Sequence, residues 1–133
     1  MTVLAQAEAS GDRAAEVVVC IEVGTTLENM EHFKVAIDYH RRAIRIAQEL
    51  QMTSSAIDEW KTHRANEGVA TANIGICLRR LGEMGRAVTA FKLAIKIGKE
   101  AAAASPQSTP FGVKSRTDYV GVSQDAPRSD DLE

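Results

Sequence analysis

Three observations predict an all-α fold for this 133-residue chain. All three prolines, Pro106, Pro110 and Pro127, lie beyond residue 105. The stretch before them is therefore free of the residue that costs ~3 kcal/mol inside a helix. Apolar side chains in that stretch recur at the i, i+3, i+4, i+7 spacing of one helix face. The chain also matches itself at an offset of 51 residues, helix pattern over helix pattern.

The elements follow in order. Residues 1–11 have no strong period and are expected to form a flexible N-terminus. Glu16 to Val23 is a short run rich in β-branched residues, which suits a strand or a helix from about 12 to 29 capped by Asp12. Phe33, Ala36, Ile37, His40, Ala43, Ile44, Ala47 and Leu50 make one apolar stripe, with Arg41, Arg42, Arg45 and Glu49 opposite; this predicts a helix over 33–51. Ile57, Trp60, Val69, Ile74, Cys77, Leu78 and Leu81 predict a long helix over 55–81. Thr53, Ser54 and Ser55 offer its N-cap, Asp58 and Glu59 suit its dipole, and Gly68 is a point where it could break. Met84, Ala87, Val88, Phe91, Ala94, Ile95 and Gly98 predict the last helix over 84–103.

Residues 105–133 change character. They hold all the prolines, no helical period, and three basic against five acidic side chains. Such a segment buries too little apolar surface to offset its ordering entropy and is expected to be a disordered tail or linker. Phe111 and Asp118-Tyr119-Val120 are its candidate binding motifs.

The self-match settles the ambiguous stretch. Residues 20–49 lie over 71–100 without a gap. Seven of 30 positions are identical: Gly24/Gly75, Leu27/Leu78, Ala36/Ala87, Ala43/Ala94, Ile44/Ile95, Ile46/Ile97 and Glu49/Glu100. Because Ile74 to Leu81 reads as helix, the matching Val23 to Met30 should be helix too. Each copy is then a helix, a turn and a second helix, about 12–51 and 55–104. Gly24 and Gly75 mark where the paired helices approach closely, with Ala36 and Ala87 facing them.

This pattern resembles the tetratricopeptide repeat, W-x2-L-G-x2-Y followed by A-x3-F. Ile74-Gly75, Leu78, Ala87, Phe91 and Ala94 carry it in the second copy; Val23-Gly24, Leu27, Ala36, His40 and Ala43 carry it in the first. Cys20 and Thr71 replace the Trp, the closing proline is missing, and the period of 51 exceeds the family's 34 by 17 residues. Ala72-Asn73-Ile74-Gly75 is similar to the N-L-G signature of longer-period members such as kinesin light chains and Pins-type adaptors. The resemblance implies two tandem helical hairpins and a protein–protein interaction module or scaffold. It places a partner peptide or helix on the concave face, against Glu22, Thr25 and Glu28 in the first copy and Asn73, Ile76 and Arg80 in the second. Asn73 is the foremost of these, since an amide both donates to and accepts from a peptide backbone. Its other reading is an internal hydrogen bond between repeats.

Other classes are disfavoured. Lys+Arg 16 against Asp+Glu 18 gives a net charge of −2, which argues against a nucleic-acid partner. No apolar run approaches the ~18 residues of a membrane span, and no basic region precedes an apolar core as in a signal peptide. A cytoplasmic protein without membrane insertion is expected. His32, His40 and His63 have no metal-ligand spacing, no glycine motif for phosphate is present, and Cys20 and Cys77 read as buried small hydrophobes. No catalytic residue, metal or cofactor is expected. Two repeats bury less core than the three or so that usually stand alone. The alternative function is thus a structural subunit, homo-oligomer or part of a larger helical assembly.

Overall fold

A computed structural model describes residues 2–104, which form five α-helices and, among the described residues, no strand. They are α1 (Val3–Ser10), α2 (Arg13–Asn29), α3 (Phe33–Thr53), α4 (Ile57–Arg80) and α5 (Met84–Ala103). The expected tail, with Phe111 and Asp118-Tyr119-Val120, lies outside the described residues.

The first eleven residues, expected to be flexible, contain α1. Thr2 Oγ1 accepts from the Ala5 N–H at 3.1 Å, and Gly11 ends the helix at φ 73°. Eight residues are too few for a helix to persist alone in water. Packing supplies the rest: Ala7 is buried and Leu4 lies against the core. Asp12 caps α2 as expected, its Oδ1 accepting from the Ala15 N–H at 3.0 Å. The β-branched run is helical because Val17 and Cys20 fill the core beside α3, where burial outweighs a weak strand preference.

Two local expectations are corrected. Thr53 and Ser54 do not cap α4. Their hydroxyls donate back to α3 carbonyls, Ser54 Oγ to Leu50 O at 2.6 Å and Thr53 Oγ1 to Glu49 O at 3.3 Å. Ala56 takes the N-cap place without a side-chain bond. Gly68 does not break α4; it is buried there, and a Cβ would come within 3.2 Å of Ile97 Cγ2.

Each helix packs on the next, and α2 also touches α4. Val17 and Cys20 of α2, Ala36 and Ile44 of α3, and Ile74 and Leu78 of α4 share one core, which Ala87 extends into α5.

The offset of 51 reappears in the contacts. Both turns close the same way. Glu31 (φ 63°) and Gly82 (φ 84°) occupy the left-handed position. The next N–H reaches back to Leu27 O at 2.8 Å in one turn and to Leu78 O at 2.9 Å in the other, which satisfies carbonyls the helix end would leave open. Gly24 faces the ring of His40, and Gly75 faces the ring of Phe91 at the matching position. Arg13 pairs with Glu16 and Glu49, each at 2.9 Å; Arg64 pairs with Glu67 at 2.8 Å and with Glu100. These matched pairs carry the repeat back to residue 13, seven residues before the sequence match begins.

Candidate functional site

The six residues expected on a concave face occupy α2 and α4, two helices in contact. Glu22, Thr25 and Arg80 are exposed; Asn73 and Ile76 are half-buried. Arg80 turns toward α3: its Nη2 lies 3.2 Å from Glu31 Oε1, and its guanidinium sits 5.0 Å from the Phe33 ring centroid. Glu28 turns inward. Its side chain is only 11% exposed, and its Oε2 lies 3.2 Å from His40 Nε2. Glu28 is therefore engaged within the protein and does not stand free beside Glu22 and Thr25.

A broad concavity lies elsewhere. A groove of about 930 Å³ runs between α4 and α5, with Lys61, Val69 and Ala72 on one wall and Phe91, Ile95 and Ala102 on the other. None of the six expected residues lines it. Gly68 and Gly98 add no side chain to fill it, and almost all of its surface is hydrocarbon. Such a surface binds by removing apolar area from water and makes few directional demands.

Positions 51 residues apart differ in exposure at this groove. Ile95 is 59% exposed, whereas Ile44, its counterpart 51 residues earlier, is 2% exposed. Ala47 is buried where Gly98 is exposed, and Ala43 is buried where Ala94 is half-buried. The pair α4–α5 alone does not bury these positions, so the first pair owes their burial to the element that follows it. That element is α4, which packs on α3. The groove is the same face with no following helix among the described residues.

The polar edge of the covered face is informative as well. Glu67 of α4 accepts from Gln48 Nε2 at 3.0 Å and Gln51 Nε2 at 2.7 Å, both on α3. At the matching places α5 carries Lys99 and Ala102. Lys99 thus stands on α5 where Gln48 meets Glu67, with Lys61 on the facing wall of the groove.

Sequence reasoning placed Ile95 on an apolar stripe and treated that stripe as core. The count of copies pointed to missing core, but it was not tied to this face: a second face identical in kind to the first needs a third element to cover it. No protein-family model, no curated protein and no solved structure matches the chain.

Proposed function

We propose that this chain is a tetratricopeptide-like interaction module, not an enzyme, which receives an amphipathic helix of a partner protein in the α4–α5 groove. One observation carries the reading: Ile95 is exposed at the repeat position where Ile44 is buried. The occupant's chemistry follows from the face that α4 presents to α3. It needs an apolar stripe at helical spacing and a carboxylate where Glu67 lies, to meet Lys99. Recognition of a helix in an apolar groove by such a stripe is a recurrent mode. No helix of the described residues is long and apolar enough to cross a membrane, so the groove is not read as a lipid-facing span.

The expected concave stripe of Glu22, Thr25, Asn73, Ile76 and Arg80 supports a second reading, in which an extended peptide lies across α2 and α4. Its support is the contact between those helices and the exposure of Glu22 and Thr25. The groove is preferred because almost all of its surface is hydrocarbon, whereas Glu22, Thr25, Asn73 and Arg80 are polar.

The test uses a synthetic peptide with the sequence of residues 57–80, titrated calorimetrically into the full chain. Binding should be saturable. Ile95→Asp should weaken it by about tenfold or more, since burial of one Ile is worth roughly 1.5–3 kcal/mol. Unchanged affinity in a folded Ile95→Asp variant would move the site away from the groove.

A further inference from the structure

At the junction of α2, α3 and α4 lies a cluster that the interaction reading does not use. One ligand-capable atom each of Glu28, His40 and Cys77 lies within 4.8 Å of the others. The three residues come from three helices, α2, α3 and α4. His40 and Cys77 are both 0% exposed, and only Glu28 reaches the surface.

The repeat shows that packing does not require this chemistry. The place of His40 is taken in the second pair by Phe91, against the same glycine, and the place of Glu28 by Arg79. A hydrocarbon ring is enough to fill the cleft. The first pair instead buries an imidazole whose Nδ1 has no hydrogen-bond partner, a cost that a Phe would avoid. Three donor types meet at one buried point where the matching point has none.

We infer that Glu28, His40 and Cys77 form a binding site for a zinc-class divalent cation at the junction of α2, α3 and α4. One sulfur, one nitrogen and one carboxylate oxygen are the donors zinc prefers, whereas calcium and magnesium select oxygen alone. A tetrahedral ion with metal–ligand bonds of 2.0–2.3 Å holds its donors roughly 3.3–3.8 Å apart. The His40–Glu28 separation of 3.2 Å is already near that spacing. The thiolate and the carboxylate together cancel the charge of a dication, which suits a buried place.

A metal takes the lone pair of His40 Nε2 with the ring proton moved to Nδ1, and it takes Cys77 as the thiolate. When the sulfur–metal bond forms, its S–H bond breaks and the proton leaves to solvent; nothing is oxidised or reduced. Entry is from the side of Glu28. Three protein ligands leave a fourth position for water.

The experiment uses the full chain, reduced and stripped with a chelator. Zinc alone is titrated in competition with a chromophoric chelator, and cobalt(II) is the spectroscopic probe. One ion per chain is expected, with a thiolate-to-cobalt charge-transfer band. Cys77→Ser should abolish that band. His40→Phe, which places in the first pair the ring the second pair carries, should stay folded by circular dichroism. It should weaken zinc by more than the about 10–100-fold that loss of an outer-shell partner costs. Absence of the band in the native chain, its persistence in Cys77→Ser, or unchanged zinc affinity in folded His40→Phe would each overturn the assignment. The cluster would then be a carboxylate hydrogen-bonded within the core.

Discussion

Replacing Gly24 by alanine probes the closest helix approach in the first pair. A Cβ built there lies 2.5, 2.6 and 2.8 Å from three atoms of the His40 ring. Ordinary contact begins near 3.4 Å, so the ring must retreat by most of an ångström. It has nowhere to go, being fully buried and tied through Nε2 to Glu28. Overpacking of this kind costs about 1–3 kcal/mol. Breaking the bond to the carboxylate adds roughly 1.5–3 kcal/mol. Alanine returns about 1 kcal/mol through its better helix propensity. The net loss is about 1.5–5 kcal/mol, which for a domain of this size lowers the melting midpoint by ~6 °C or more. Gly75→Ala is the internal control. Its Cβ meets Phe91 at 2.9–3.0 Å, but that ring is half-buried and can turn outward. A cost of about 1 kcal/mol is then nearly offset by propensity, and the midpoint should move by a few degrees only. Thermal melting by circular dichroism reads both. Equal midpoints for the two variants would refute the argument that a confined ring sets the cost.

Two further outcomes follow from the same geometry. Glu31→Gly should stabilise by about 1 kcal/mol, because Glu31 holds φ 63° where the matching turn uses Gly82, and its ion pair with Arg80 is exposed and worth little; an unchanged or lower denaturation midpoint would refute the left-handed turn. Arg64→Ala should cost about 3–5 kcal/mol because it leaves Glu67 buried without its cation, whereas Arg13→Ala, at the half-exposed counterpart, should cost about 1 kcal/mol or less. Equal losses in urea unfolding would show that the second ion cluster is not buried as described.

Much of the architecture was legible because the apolar stripes of α3 and α5 are clean and the prolines stand apart. The helical state of Glu16–Val23 could be read only through the self-match, since its residues suit either state locally. The α4 cap was misread because Thr53 and Ser54 can bond backward to α3 as readily as forward, and only the path of the chain decides. Helix α1 was missed because its eight residues carry almost no period and depend on docking to α2. The groove was hidden for a different reason. Periodicity tells which face of a helix is apolar, not whether another helix covers it, and Ile44 and Ile95 look identical in sequence. The Glu28–His40–Cys77 cluster joins residues 12 and 37 positions apart, a spacing that no linear motif marks.

The central proposal is that a helix seats on α4–α5 as α4 seats on α2–α3. Backbone chemical-shift mapping of the isotopically labelled full chain during titration with the 57–80 peptide tests it most directly. Shifts should concentrate at Gly68, Ala72, Ala94, Ile95 and Gly98. Shifts concentrated instead at Glu22, Thr25, Asn73 and Ile76, with the groove residues unmoved, would contradict the claim and place the partner on the concave stripe.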